Sequence, residues 1–203
     1  MSIRFASFHP VAFVIAFIIV IESVDVAATE EPRFELIDRW PDKNIELREY
    51  DARILAVTRM DTAENGGFST LAGYIFGGNT AEQKIAMTAP VQTSMAGSAV
   101  QEMAFVMPSQ FGESDLPEPN DPAIDLRPMS GYVAAVIAFS GRASASTAET
   151  HWKQLREFLE ESNLEAVGPP TLNQYNPPWT LPFLRRNEII VPINRDSLPE
   201  TKT

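Results

Sequence analysis

Apolar and polar residues alternate with a period of two through 34–40, 45–50 and 53–60, and the turn composition Pro41-Asp42-Lys43-Asn44 separates the first two runs. That period puts successive side chains on opposite faces of a strand, so three strands joined by tight turns are expected. Glu64-Asn65-Gly66-Gly67 breaks the alternation. Phe68, Leu71, Ala72, Ile75 and Phe76 then recur at helical spacing until Gly77-Gly78, which predicts a first helix. In 84–91 the period returns to two, with Ile85, Met87, Ala89 and Val91 on one side and Lys84, Ala86 and Thr88 on the other. A half-buried strand is expected there, at an edge or a bulge because Pro90 cannot donate to a ladder. A return strand over 100–107 ends at Pro108.

The second half repeats this order. Strands are predicted at 123–127 and 132–139, then a helix, then strands at 171–175 and 188–193. Ser146 and Glu149 form a capping-box pair for that helix, Trp152, Leu155, Phe158 and Leu159 give it an apolar stripe, and Gly168-Pro169-Pro170 lies past its end. Two successive strand-strand-helix-strand-strand units predict an internally duplicated α+β domain with two helices on an antiparallel sheet. The four prolines and several acids of 108–122 show no periodicity and no Asp-x-Asp-x-Asp-Gly spacing, so they read as a solvated connector and not a calcium loop.

The N-terminus changes the domain count. Arg4, the apolar run 11–21 and the small residues Val26, Ala27 and Ala28 form the pattern of a signal peptide, with cleavage expected before Thr29. The apolar run, bounded by Pro10 and Glu22, is short for a bilayer core of about 30 Å. The expectation is therefore a leader over 1–28, a single domain over 29–203, and a periplasmic or secreted protein with no stable membrane insertion after cleavage. Net charge is −11 for the whole chain, and the leader carries only Arg4, Glu22 and Asp25, so the mature part stays acidic. Acidity argues against nucleic acid and anionic lipid as partners, since both need a basic footprint.

Nucleophilic catalysis finds little to work with. The chain has no cysteine, and after the leader only His151 remains as an imidazole. Ser-His-Asp and Cys-His mechanisms need more than that, and no nucleophile elbow, zinc-protease pair, phosphate loop or dinucleotide fingerprint is present. The reading is of a protein that is not an enzyme, with carboxylate pairs left to the structure to reveal. No metal site is expected.

Lys84-Ile85-Ala86-Met87-Thr88-Ala89-Pro90-Val91 resembles the hallmark stretch of the SOUL family of haem-binding proteins. Three further stretches resemble the same family in the same order: Ile45-Glu46-Leu47-Arg48-Glu49-Tyr50, Phe105-Val106-Met107-Pro108-Ser109, and Tyr175-Asn176-Pro177-Pro178-Trp179 leading to Arg185-Arg186-Asn187-Glu188. The resemblance implies a distorted antiparallel β-barrel with two helices outside, and a haem or tetrapyrrole ligand held for carriage or buffering. Members that use an axial histidine carry it just before the tyrosine of the Ile-Glu-Leu-Arg-x-Tyr motif; here that position is Glu49, so contact without a histidine ligand is implied. The expected contact residues are Phe68, Leu71, Ala72, Ile75 and Phe76 of the first helix, whose apolar groups cover more than one inward stripe needs, with Arg185 and Arg186 for the propionates. Two alternatives stand beside this: the helix packs wholly into the core, or it meets another protein with no haem function. Arg185 and Arg186 could equally be salt-bridge partners of surface acids.

Overall fold

The structure, a computed structural model, describes residues 29–60, 66–95 and 101–198. The expected leader and its cleavage point before Thr29 are bounded by residues 1–28, which lie outside the described residues. Nine strands form one sheet: β1 (Phe34–Trp40), β2 (Ile45–Tyr50), β3 (Arg53–Arg59), β4 (Val91–Ser94), β5 (Glu102–Val106), β6 (Ile124–Met129), β7 (Tyr132–Phe139), β8 (Thr171–Gln174) and β9 (Asn187–Pro192). Two α-helices, α1 (Gly66–Ile75) and α2 (Ala145–Glu161), accompany it. All ladders are antiparallel and the sheet curls into a half-barrel with β1 and β6 as its edges.

The sheet order β1-β2-β7-β9-β8-β4-β5-β3-β6 is a palindrome once β1 is set aside. Each unit, β2-β3-α1-β4-β5 and β6-β7-α2-β8-β9, gives its first strand to the other: β2 pairs with β7, and β6 with β3. Register follows the same rule. Arg48 opposite Ala134 in one half corresponds to Arg127 opposite Leu55 in the other, and Val57 opposite Ala104 corresponds to Val136 opposite Ile190. The duplicated α+β architecture expected from the sequence is thus present down to the register.

The helices pack on the outer face at equivalent places, α1 against β3 and β5, α2 against β7 and β9. Leu71, Tyr74 and Ile75 of α1 join Ala56, Phe105, Met107 and Ile124 in one core. Leu155, Phe158 and Leu159 of α2 join Ile45, Leu47, Val133, Ile137, Ile189 and Val191 in the larger one. On the inner face the alternate strand positions form two smaller apolar clusters, Tyr50-Ala134-Val136-Ile190 and Leu55-Val57-Ala104-Val106.

Two local expectations are corrected. The stretch 84–90 is no strand: only Lys84 and Thr88 form isolated bridges, and the ladder starts at Val91. Its polar groups go to unlike partners, with the Ile85 amide on Ile75 O at 2.8 Å, the Ala89 amide on Glu30 O at 2.8 Å and the Thr88 hydroxyl on Val106 O. The apolar period therefore tracks a segment tied to three different elements, and Met87 is left exposed while Ile85 and Ala89 are buried. At α2 the N-cap is Ser144, whose Oγ accepts the Thr147 amide at 3.2 Å, and not Ser146 with Glu149.

Candidate functional site

The expected contact residues divide by depth. Leu71 and Ile75 are fully buried in the core beneath α1 and present nothing at the surface. Ala72 is half-buried. Phe68 and Phe76 stand out of that stripe, at 48% and 68% exposure, with the Phe68 ring edge-on to Phe105 at 5.3 Å. Phe68 stands on the same face as Leu71 and Ile75 but within one turn of the helix start, where it covers the edge of the core at Phe105, whereas Phe76 follows the last helical residue and turns away from the Leu71, Tyr74 and Ile75 arc.

Beyond α1 the chain turns at Gly77, whose φ of +110° is open to glycine but strained for other residues. It comes back so that Lys84 forms an antiparallel bridge with Phe76. Cross-strand partners project to one side, so the exposed Lys84 and the exposed Phe76 share a side of this turn. Among the described residues Lys84 makes no ion pair, and Met87 lies three residues on with its thioether partly exposed. Lys84 is hidden from a sequence reading because residues 61–83 carry no Lys or Arg and only the reversal after Gly77 returns a lysine to the helix end.

The segment 84–90 ends at Val91, which pairs with Gln174 at the start of the β8–β9 connection. That connection exposes Trp179, Leu181, Phe183 and Leu184. Arg185 is spent inside it: its Nε donates to Thr180 O at 2.8 Å and an Nη donates to Pro178 O. Arg186 pairs with Glu31 and lies 3.6 Å over the Tyr175 ring. Both arginines of the family stretch therefore serve internal contacts, the salt-bridge reading for Arg186 and a loop-bracing role for Arg185.

A buried polar cluster stands on the inner face of the sheet. Arg48 on β2 reaches across β7 to Glu188 on β9, with two bonds of 3.0 and 3.1 Å, while its Nε donates to Glu46 at 2.7 Å and Nη1 to Tyr50 OH at 3.0 Å. Tyr175 OH donates to the same Glu188 at 2.6 Å. Burial pushes both the Tyr50 and the Tyr175 phenols far above their ordinary range. For Arg48 burial pulls the other way, but the interactions with Glu188 and Tyr50 together outweigh it and hold the guanidinium charged. Every member has a partner, which is the condition for a buried ion pair to be tolerated. The equivalent cluster in the other half is Arg127 on β6, bonded through two nitrogens to Glu102 on β5 and flanked by Asp125, but it is exposed to solvent.

Glu49, at the position that carries histidine in some SOUL members, pairs with Arg195. His151 on α2 stacks on Phe139 at 4.2 Å and its Nδ1 lies 3.0 Å from Gln154 Oε1. No group of three or more His, Asp and Glu side chains comes together to hold a metal among the described residues. No helix among them is long and apolar enough to cross a membrane.

Comparison with known proteins gives three results. The sequence model of the family described as SOUL heme-binding protein matches residues 29–192. No curated protein sequence matches the chain. Among solved structures the EcmrR C-terminal domain is similar at 13% identity and a TM-score of 0.56, over 74% of this chain and 96% of that one. An uncharacterized conserved protein from Listeria innocua has 10% identity and a TM-score of 0.58, over 75% and 93%. A hydrolase from Listeria innocua has 10% identity and a TM-score of 0.57, over 75% and 92%. At these identities the likeness shows the fold alone.

Proposed function

Because the chain belongs to the SOUL haem-binding protein family, we propose that it binds haem or a related tetrapyrrole loosely, by surface contact and without a histidine on the iron, for carriage or buffering. The observation that supports this most is the pairing of exposed Phe76 with Lys84 at the end of α1. A tetrapyrrole asks for an apolar surface against its ring and a cation near its propionates. Phe76 and Met87 supply the first, Lys84 the second, and Phe68 extends the apolar surface on the same helix. The exposed Trp179 and Phe183 of the β8–β9 connection add aromatic area that solvent-facing loops seldom keep without a use. Bound haem would supply a redox-active iron, and no residue here is asked to do chemistry on it. The protein is a binder and not a catalyst in this reading. Export is part of the same proposal: the family match starts at residue 29, where the leader pattern ends.

Titration of the mature protein with haem and with iron-free porphyrin, followed at the Soret band, tests it. Both should bind at one equivalent, since contact and not iron coordination holds the ring. Phe76→Asp and Lys84→Glu should each weaken binding by about tenfold or more. His151→Ala should leave the affinity and the Soret maximum unchanged. Haem binding that survives both surface variants would place the site elsewhere. Mass growth in light scattering with no Soret change would favour a protein-interaction surface instead.

A further inference from the structure

Arg53, the first residue of β3, stands on the inner face of the sheet against two tyrosine rings. Its guanidinium lies 4.9 Å from the centres of both the Tyr50 and the Tyr132 rings, which stack on each other, and one Nη donates to the Tyr132 hydroxyl. The other two nitrogens, Nε and Nη1, are shielded from solvent and have no protein acceptor. Arg48 and Arg127, two further arginines of this face, each have a carboxylate on two nitrogens. A buried guanidinium with unmet donors is costly, because its hydration has been removed and nothing replaces it.

Arg53 also lines a groove of about 230 Å³ along the inner face. Leu55, Val57, Ala104, Met129 and Ile190 give that groove apolar walls, and its one carboxylate, Glu102, is held by Arg127. A second cavity also touches Arg53, but its lining sets four carboxylates, Glu30, Glu31, Asp51 and Glu113, against Arg33 and Arg53, a balance that disfavours an anion. That volume is smaller than the usual ligand pocket of roughly 300–1,000 Å³ and suits a small molecule.

We propose that this inner groove binds a small amphiphilic monocarboxylate, its carboxylate on the unpartnered nitrogens of Arg53 and its alkyl or aryl body between Val57, Ala104, Met129 and Ile190. A carboxylate is the single anionic group that a planar guanidinium receives best, and an apolar tail is what the walls can hold. The site is separate from the tetrapyrrole surface on the outer face.

Octanoate is the probe, with octanamide as its neutral analogue and inorganic phosphate as a tail-less anion. Calorimetry should show octanoate binding about tenfold or more tighter than either, since a charge-assisted bond is lost in one and the apolar walls in the other. Arg53→Met should abolish the preference for octanoate over octanamide. In the unaltered protein, methyl resonances of Met129, Val57 and Ile190 should shift with octanoate while that of Met87 stays still, a readout that does not depend on the variant folding. Equal binding of octanoate and octanamide, equal binding of phosphate, or shifts confined to Met87 would each overturn the proposal.

Discussion

Arg48 and Arg127 occupy equivalent strand positions, make the same two-nitrogen contact to a glutamate two strands away, and differ in burial. The pair isolates what burial does to an ion pair. Removing Arg48 leaves Glu188, at 2% exposure, without its cation, so Arg48→Met should cost about 3–5 kcal/mol. Arg127→Met removes a solvated pair and should cost about 0–1 kcal/mol. Urea unfolding of both variants gives the comparison, and similar losses would show that Glu188 is relieved by water or by Tyr175. The same cluster sets a pH response. Tyr50 and Tyr175 have phenols raised in the folded state by burial first of all, so the unfolded chain sheds these protons at lower pH than the folded one. Their contribution is complete below the unfolded phenol range, near pH 10, and is lost as pH rises above it. The urea midpoint should fall between pH 9 and about 11, and Tyr175→Phe should flatten the fall.

At the level of elements, period was a reliable guide where an element had one neighbour on each side, and failed where a segment was divided among several. β7 was legible to the residue, as was the inward stripe of α2, because a ladder or a buried arc repeats the same demand along the chain. The stretch 84–90 alternates just as cleanly, yet its bonds go to α1, to Glu30 and to β5, none of which is marked in local sequence. The same limit hid the site. Lys84 and Phe76, Arg48 and Glu188, and Arg53 between two tyrosines meet only through tertiary pairing. One signal was in reach: Ile45-Glu46-Leu47-Arg48 and Ile124-Asp125-Leu126-Arg127 repeat the same pattern at the same place in the two units. The α2 cap carries a test of its own. Ser144 satisfies an orphan amide that Ser146 does not, so Ser144→Ala should lower stability by about 1 kcal/mol and Ser146→Ala by well under that. Thermal melts followed at 222 nm would decide it, and the reverse order would restore the capping-box reading.

Across the whole molecule, the exchange of first strands decides how the two units depend on each other. β2 completes the sheet of the second unit, and β6 that of the first. Ile45 and Leu47 of β2 sit in the core under α2, whereas Ile124 of β6 sits in the core under α1. A unit cut from its partner would therefore lose a strand from its sheet and side chains from its core, and would expose the edge of β7 that β2 now pairs or the edge of β3 that β6 now pairs. Those losses exceed what a small unit keeps in reserve, because a domain of this size holds only about 5–15 kcal/mol in total. The exchange predicts a single cooperative body and not two linked ones. Denaturant curves read by tryptophan fluorescence and by circular dichroism should coincide, although two of the three tryptophans, Trp40 and Trp152, pack on the α2 core and the third, Trp179, is exposed. Expressed separately, segments 29–109 and 110–198 should each be unfolded, and mixing them should regenerate the sheet signal at 218 nm because each holds the strand the other lacks. A stable, monomeric fold from either segment alone would show that the exchanged strands contribute little to cohesion.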